Sequence, residues 1–206
     1  MKQLTGLDTS FLTMETATQF GHVNSISILD PSGSRTGDLY ADLRQAVAER
    51  LHLLEVYRRK LVRVPFGLDN PYWVDDGDLD LEYHIRELAL PAPGDDAQLA
   101  EQVSRLAARP LDLTRPLWEW YVITGLQGGL VGLFTKLHHA TIDGASGVEL
   151  IHVLMDTEPE GRVIEPPSAP WVPEPTPTSL QLLGRTAVAF ATRPGKVVRL
   201  QLAGRG

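Results

Sequence analysis

Between Leu130 and Leu137 the chain is apolar at Leu130, Val131, Leu133, Phe134 and Leu137, on both alternating faces of an extended strand. A strand apolar on both faces is a central one, buried on both sides. The rest of the chain alternates strands and helices. His22 to Leu29 alternates apolar and polar residues and predicts a strand stopped by Asp30-Pro31-Ser32-Gly33. Asp38 starts a helix carrying Leu39, Leu43, Ala46, Val47 and Leu51 at helical spacing, to about residue 52. Short strands are expected at Lys60 to Val64, Pro71 to Val74 and Leu81 to Leu88, as a meander. Pro93-Gly94-Asp95-Asp96 breaks the chain and caps a helix with Leu99, Val103, Leu106 and Ala107, which ends before Pro110. Trp118 to Thr124 predicts the strand before Leu130 to Leu137, and Gly144 to Met155 a final amphipathic helix. The fold class is therefore α/β.

The 206 residues suffice for one core plus an extension. A net charge of -7 repels a phosphate backbone, and no nucleic-acid-binding signature offsets it; nucleic acid is not an expected partner. With no cysteine, any chemistry falls to oxygen and nitrogen groups. The first residues lack the apolar core of a secretory signal, and no window approaches about 18 apolar residues, so a cytoplasmic location is expected. Proline becomes dense from about Thr157 to Pro177. This divides the chain into a domain at 1–156, a semi-rigid linker at 157–178, and an apolar, basic segment at 179–206 with no acidic residue after Leu180. That segment reads either as a helix docking on another part of a larger protein or as an amphipathic helix on anionic lipid.

His138 and His139 close the apolar strand and precede Asp143-Gly144 and a helix. Imidazole thus sits at a strand's carboxyl edge, where α/β proteins place binding sites. Alternation sends the two rings to opposite faces, one reactive and one structural. A neutral histidine can take a proton from an alcohol near pH 7. Asp143 could orient the ring or pair with an arginine, and Gly144 permits close backbone approach. From spacing alone, a core histidine pair with a capping aspartate explains the segment equally well. Ser146 lacks the glycine pattern of a nucleophile elbow. His139, Asp143 and His152 do not have a zinc-site spacing, and no metal is expected. Asp76, Asp78 and Asp80 mimic the start of a calcium loop, but Leu81 replaces its glycine.

The segment His138-His139-Ala140-Thr141-Ile142-Asp143-Gly144 resembles the His-His-x-x-x-Asp-Gly motif of CoA-dependent acyltransferases. Further likeness lies in Leu7-Asp8-Thr9-Ser10-Phe11-Leu12 with Glu15, Phe20-Gly21-His22-Val23, Arg58 to Leu68, Pro71 to Asp76, and Arg115-Pro116-Leu117-Trp118-Glu119. Together these resemble the bacterial wax ester synthase/diacylglycerol acyltransferase family. The resemblance implies a chloramphenicol acetyltransferase-like domain, a mixed sheet flanked by helices, as one of two such halves around a tunnel. It implies His139 as general base, His138 as its support, Asp143 as chiefly structural and Gly144 as setting the loop. Pro116, Leu117 and Trp118 match a segment linked to substrate binding, although a core role fits them as well.

The implied reaction transfers a fatty acyl group from acyl-CoA, as substrate and with no cofactor, to diacylglycerol or a long-chain alcohol. Family members are about twice this length and carry a second, Asn-Asp motif in a C-terminal half. This chain is therefore expected to be an N-terminal half that needs that partner half, is inactive alone, and touches membranes or lipid droplets peripherally if at all. A condensation-type acyltransferase and a non-catalytic lipid-surface scaffold are the alternative readings.

Overall fold

The computed structural model describes residues 1–142, 146–158 and 161–192. Strand β1 (Lys2–Gln3) leads into helix α1 (Gly6–Thr13). The Thr5 hydroxyl accepts the Asp8 backbone N–H at 3.2 Å, and the Asp8 carboxylate accepts the Thr5 N–H at 3.1 Å. That reciprocal cap satisfies two donors left open at the helix start. Next come β2 (His22–Leu29) and α2 (Leu39–Arg50), whose Asp38 cap accepts the Ala41 N–H at 3.0 Å. One turn, α3 (Glu55–Arg58), then feeds β3 (Arg59–Val62) and β4 (Tyr72–Asp75). The remaining elements are α4 (Leu81–His84), β5 (Ile85–Ala89), α5 (Asp96–Ala107), β6 (Trp118–Thr124), β7 (Val131–His138), α6 (Ser146–Leu154) and α7 (Ser179–Thr192).

The expected meander is not formed. β3 and β4 pair antiparallel in a small sheet of order β1-β4-β3, whereas β5 joins the main sheet of order β2-β7-β6-β5. Leu81 to Leu88 is not one strand either. Asp80 accepts the Glu82 and Tyr83 N–H groups and winds the first half into α4, so only the second half extends. β5 runs parallel to β6, which requires a crossover; α5 supplies it. β7 lies between β2 and β6, antiparallel to both.

Helices cover both faces of the main sheet. On one, α5 packs Leu99, Val103 and Leu106 against Tyr121, Ile123 and Phe134. On the other, Val47, Leu54, Leu150 and Leu154 meet Trp118, Trp120, Val122 and Leu133. α7 lies on the small sheet, with Leu182 buried against Val64, Tyr72 and Val74.

Two polar groups inside this core fix its geometry. Lys136, its side chain fully buried, donates to the Leu106 carbonyl at 3.0 Å and the Arg109 carbonyl at 2.7 Å. It thereby caps the end of α5, where the helix dipole favours a cation. Glu119 stands 3.6 Å away and also pairs with Arg86. His84 is buried and stacked on Trp118 at 4.4 Å, and it donates through Nδ1 to the Trp118 carbonyl at 2.7 Å. Burial holds its pKa below the ordinary histidine value.

Lys136→Met should lower the unfolding free energy by about 3 kcal/mol, and adding Glu119→Gln should recover part of that loss; urea titration of both variants measures the coupling. His84 gives a signed pH dependence. The unfolded ring takes up a proton near pH 6.5 that the folded ring resists, so stability is full above that pH and falls as pH drops toward the lowered folded pKa. His84→Phe should reduce that slope in denaturation curves below about pH 7, the remainder coming from the other buried histidines with lowered pKa, His22 and His138.

Candidate active site

β7 ends where its two histidines part. His138 is the last residue of the strand and is fully buried, while His139 opens a short 3-10 turn, His139–Thr141, and is exposed. Three backbone and side-chain bonds shape that turn. The His139 N–H donates to the Gly21 carbonyl at 2.7 Å, the Thr141 hydroxyl to the His138 carbonyl at 2.7 Å, and the Ile142 N–H to the His139 carbonyl at 3.3 Å.

Both nitrogens of His138 are engaged. Nδ1 accepts the Ala140 backbone N–H at 3.0 Å, which leaves Nε2 to carry the proton and donate it to the Glu15 carboxylate at 3.0 Å. Burial holds the His138 pKa below the usual value, against the opposing charge of Glu15. Glu15 also accepts the Gly21 N–H at 3.0 Å, so one carboxylate ties the histidine to the start of β2. Gly21 leaves room for the ring: a Cβ there would lie 3.2 Å from His138, a contact that the ring or strand must yield to by a few tenths of an ångström. His22 sits opposite His138 in the β2–β7 ladder, edge-on to its ring, with Glu15 3.9 Å away. Burial, followed by the charge of Lys136, draws its pKa down to about 4, so it too stays neutral.

The exposed ring of His139 rests on α1, where Phe11 stacks on it at 4.1 Å. Leu12 and Ala140 share a buried cluster beneath that stack. Chemically, His138 has no nitrogen left to take a proton, whereas His139 presents an imidazole to the surface, held among the described residues by its backbone and by one aromatic face. Phe11 and Glu15 carry no chemical label in the sequence. They reach this site through the fold, Glu15 across 123 residues, and no local spacing points to that contact.

Pro116, Leu117 and Trp118 are buried beneath the turn. Leu117 packs in the same cluster as Ala140, its carbonyl accepts the His138 N–H at 3.0 Å, and the Trp118 indole donates to the Tyr57 carbonyl at 2.9 Å. Asp143 and Gly144 lie outside the described residues. Ser146 is the first residue of α6. Asp76 pairs with Lys60 at 2.9 Å and Asp80 caps α4, so both acidic positions have structural work. Among the described residues no cluster of three or more His, Asp or Glu could hold a metal, and no helix is long and apolar enough to cross a membrane.

Comparison with known proteins bears on the chain as a whole. The profile of the wax ester synthase/diacylglycerol acyltransferase catalytic domain matches residues 4–204. A Mycobacterium tuberculosis protein named "Probable diacyglycerol O-acyltransferase tgs3" is 41% identical over 196 residues, covering 94% of this chain and 70% of that protein. Another M. tuberculosis relative carrying a diacylglycerol O-acyltransferase name is 39% identical over 198 residues, covering 96% of this chain but 41% of its own length. The solved wax ester synthase/diacylglycerol acyltransferase of Marinobacter aquaeolei VT8 superposes with a TM-score of 0.66 at 31% identity, over 80% of this chain and 41% of that one. The starter condensation domain of rhizomide synthetase, at 12% identity and a TM-score of 0.55 over 74% of this chain and 36% of that one, shares the fold. The chain therefore spans about two-fifths of several longer relatives and belongs to the wax ester synthase/diacylglycerol acyltransferase family.

Proposed function

We propose that this chain is the histidine-bearing, N-terminal half of an acyltransferase that moves a fatty acyl group from acyl-CoA to diacylglycerol or a long-chain alcohol. The observation that carries the reading is the division of labour at the end of β7. One histidine is locked with both nitrogens engaged, and its neighbour is exposed on an aromatic support.

In this reading His139 is the general base. Its imidazole takes the proton of the acceptor hydroxyl, and the oxygen attacks the thioester carbonyl. The C–S bond then breaks, and the imidazolium returns the proton to the departing CoA thiolate, leaving an ester and free CoA. No group of the protein becomes acylated. His138 and Glu15 position the turn, and by the family resemblance Asp143 is chiefly structural and Gly144 sets the loop. Pro116, Leu117 and Trp118 support the turn from below and border the substrate path.

Residues 1–156 form the catalytic half in this organisation. Residues 157–178 link it onward, and 179–206 lead toward a second half that completes the substrate path and stabilises the oxyanion. The 206 residues alone are then inactive, and contact with a membrane or lipid droplet is peripheral.

In the full-length protein, His139→Ala should cut the turnover rate by about 10³-fold with an unchanged melting temperature; a steady-state assay with acyl-CoA and either acceptor reads this, and near-normal turnover would rule out His139 as base. Glu15→Ala should lower kcat by about 10- to 100-fold with little change in KM, because it misplaces the base without touching substrate. Glu15→Gln, which still accepts the His138 proton, should restore most of that rate.

A further inference from the structure

Of the lysines and arginines between Arg50 and Lys60, all but one have a carboxylate. Arg50 bonds Asp156 at 2.6 Å, Arg59 pairs with Glu55, and Lys60 pairs with Asp76 at 2.9 Å. Arg58 has no carboxylate partner among the described residues, and its guanidinium lies instead over the indole of Trp171, 5.1 Å from the ring centre. That contact uses the face of the indole. The N–H donors of both groups lie in their planes, at the edges, so the stack leaves them open. The Arg58 Nε–H and the Trp171 Nε1–H are both buried, and neither has an acceptor. Buried donors are nearly always bonded, so two unmet ones on touching side chains call for a ligand.

Both side chains line one cavity of about 340 Å³. The end of α2 and the turn after it supply Glu49, Leu51 and His52, and the proline-rich segment supplies Ile164, Pro166 and Pro167. These walls select the ligand. A guanidinium beside an indole N–H suits the oxygens of an anion. Glu49, whose carboxylate accepts the Gln45 amide at 2.9 Å, stands on the same wall; its charge favours one negative charge opposite Arg58 and disfavours two. The leucine, isoleucine and proline surfaces suit a hydrocarbon body. A phosphate dianion meets neither condition, and a neutral alcohol leaves the guanidinium charge unmet.

We infer that the cavity enclosed by the end of α2, Arg58 and the segment Ile164 to Trp171 binds a carboxylate carried on a small apolar body, its oxygens accepting from Arg58 and Trp171. None of these residues belongs to the histidine turn, so the inference does not rest on the acyl-transfer reading. A carboxylate seated there joins α3 to the proline-rich segment and fastens that segment to the domain.

The test uses the full-length protein labelled with fluorotryptophan. Fluorine NMR follows the Trp171 signal, identified by its loss in Trp171→Phe, during titration with octanoate, octanol and inorganic phosphate. Octanoate should move that signal saturably, and octanol and phosphate should leave it in place. Arg58→Met should raise the dissociation constant for octanoate about tenfold at an unchanged melting temperature. Ile164→Phe, which fills the cavity from the opposite wall and keeps both donors, should weaken octanoate to a similar degree. The inference is wrong if octanoate leaves Trp171 unmoved, if octanol moves it as far, or if phosphate moves it and octanoate does not. It is equally wrong if Arg58→Met folds and keeps the native affinity. If Arg58→Met does not fold, Ile164→Phe decides alone: native affinity overturns the site, and a tenfold loss upholds it.

Discussion

The candidate site depends on one buried neutral imidazole. His138 accepts the Ala140 N–H on one nitrogen and donates to Glu15 on the other, so its tautomer, its ring plane and the turn that follows are set together. A protonated ring would lose the Ala140 bond, and burial works against that protonation. Glu15 carries the constraint into the N-terminal part of the chain by also holding Gly21, whose carbonyl accepts the His139 N–H. α1, the start of β2 and the end of β7 thereby become one unit. His139 inherits its position from all three.

The alternation of β7 distributes the remaining tasks. Its even residues face α5, where Lys136 ties the sheet to the end of that helix and Phe134 fills the core. Its odd residues face α6, where Thr135 and Leu137 line a cleft beside the serines of β2. Anchoring charge and open apolar space are thus kept on opposite faces of one strand. Separation of this kind lets a buried cation persist without drawing water into an apolar cleft. Both features converge on the histidine end of the strand.

The small sheet carries α7. α7 buries Leu182 on Tyr72 and Val74, and Trp171 in the extended segment before it stacks under Arg58 at 5.1 Å. The proline-rich stretch therefore runs along the surface of the domain.

Much of this was legible in the residues themselves. The double-sided apolar run at Leu130 to Leu137 determined a central strand, the alternation at His22 to Leu29 a second one, and the caps at Asp38 and Asp95 the starts of two helices; each is a local pattern with a local cause. Local patterns also separated the two histidines onto opposite faces. They could not say which was locked, because the lock is Glu15, 123 residues away. Nor could they separate a strand from a capped helical turn at Leu81, or show that β5 leaves its neighbours to pair with β6, since pairing is chosen by the core that α5 closes. In the sequence the serines of β2 are simply the polar members of an alternating strand; only the position of α6 over them makes that face the floor of a cleft. The sequence by itself determined which residues could do chemistry and which strand would present them. Tertiary structure decided which ring is held and which is offered, because that choice rests on contacts between segments that no spacing along the chain records.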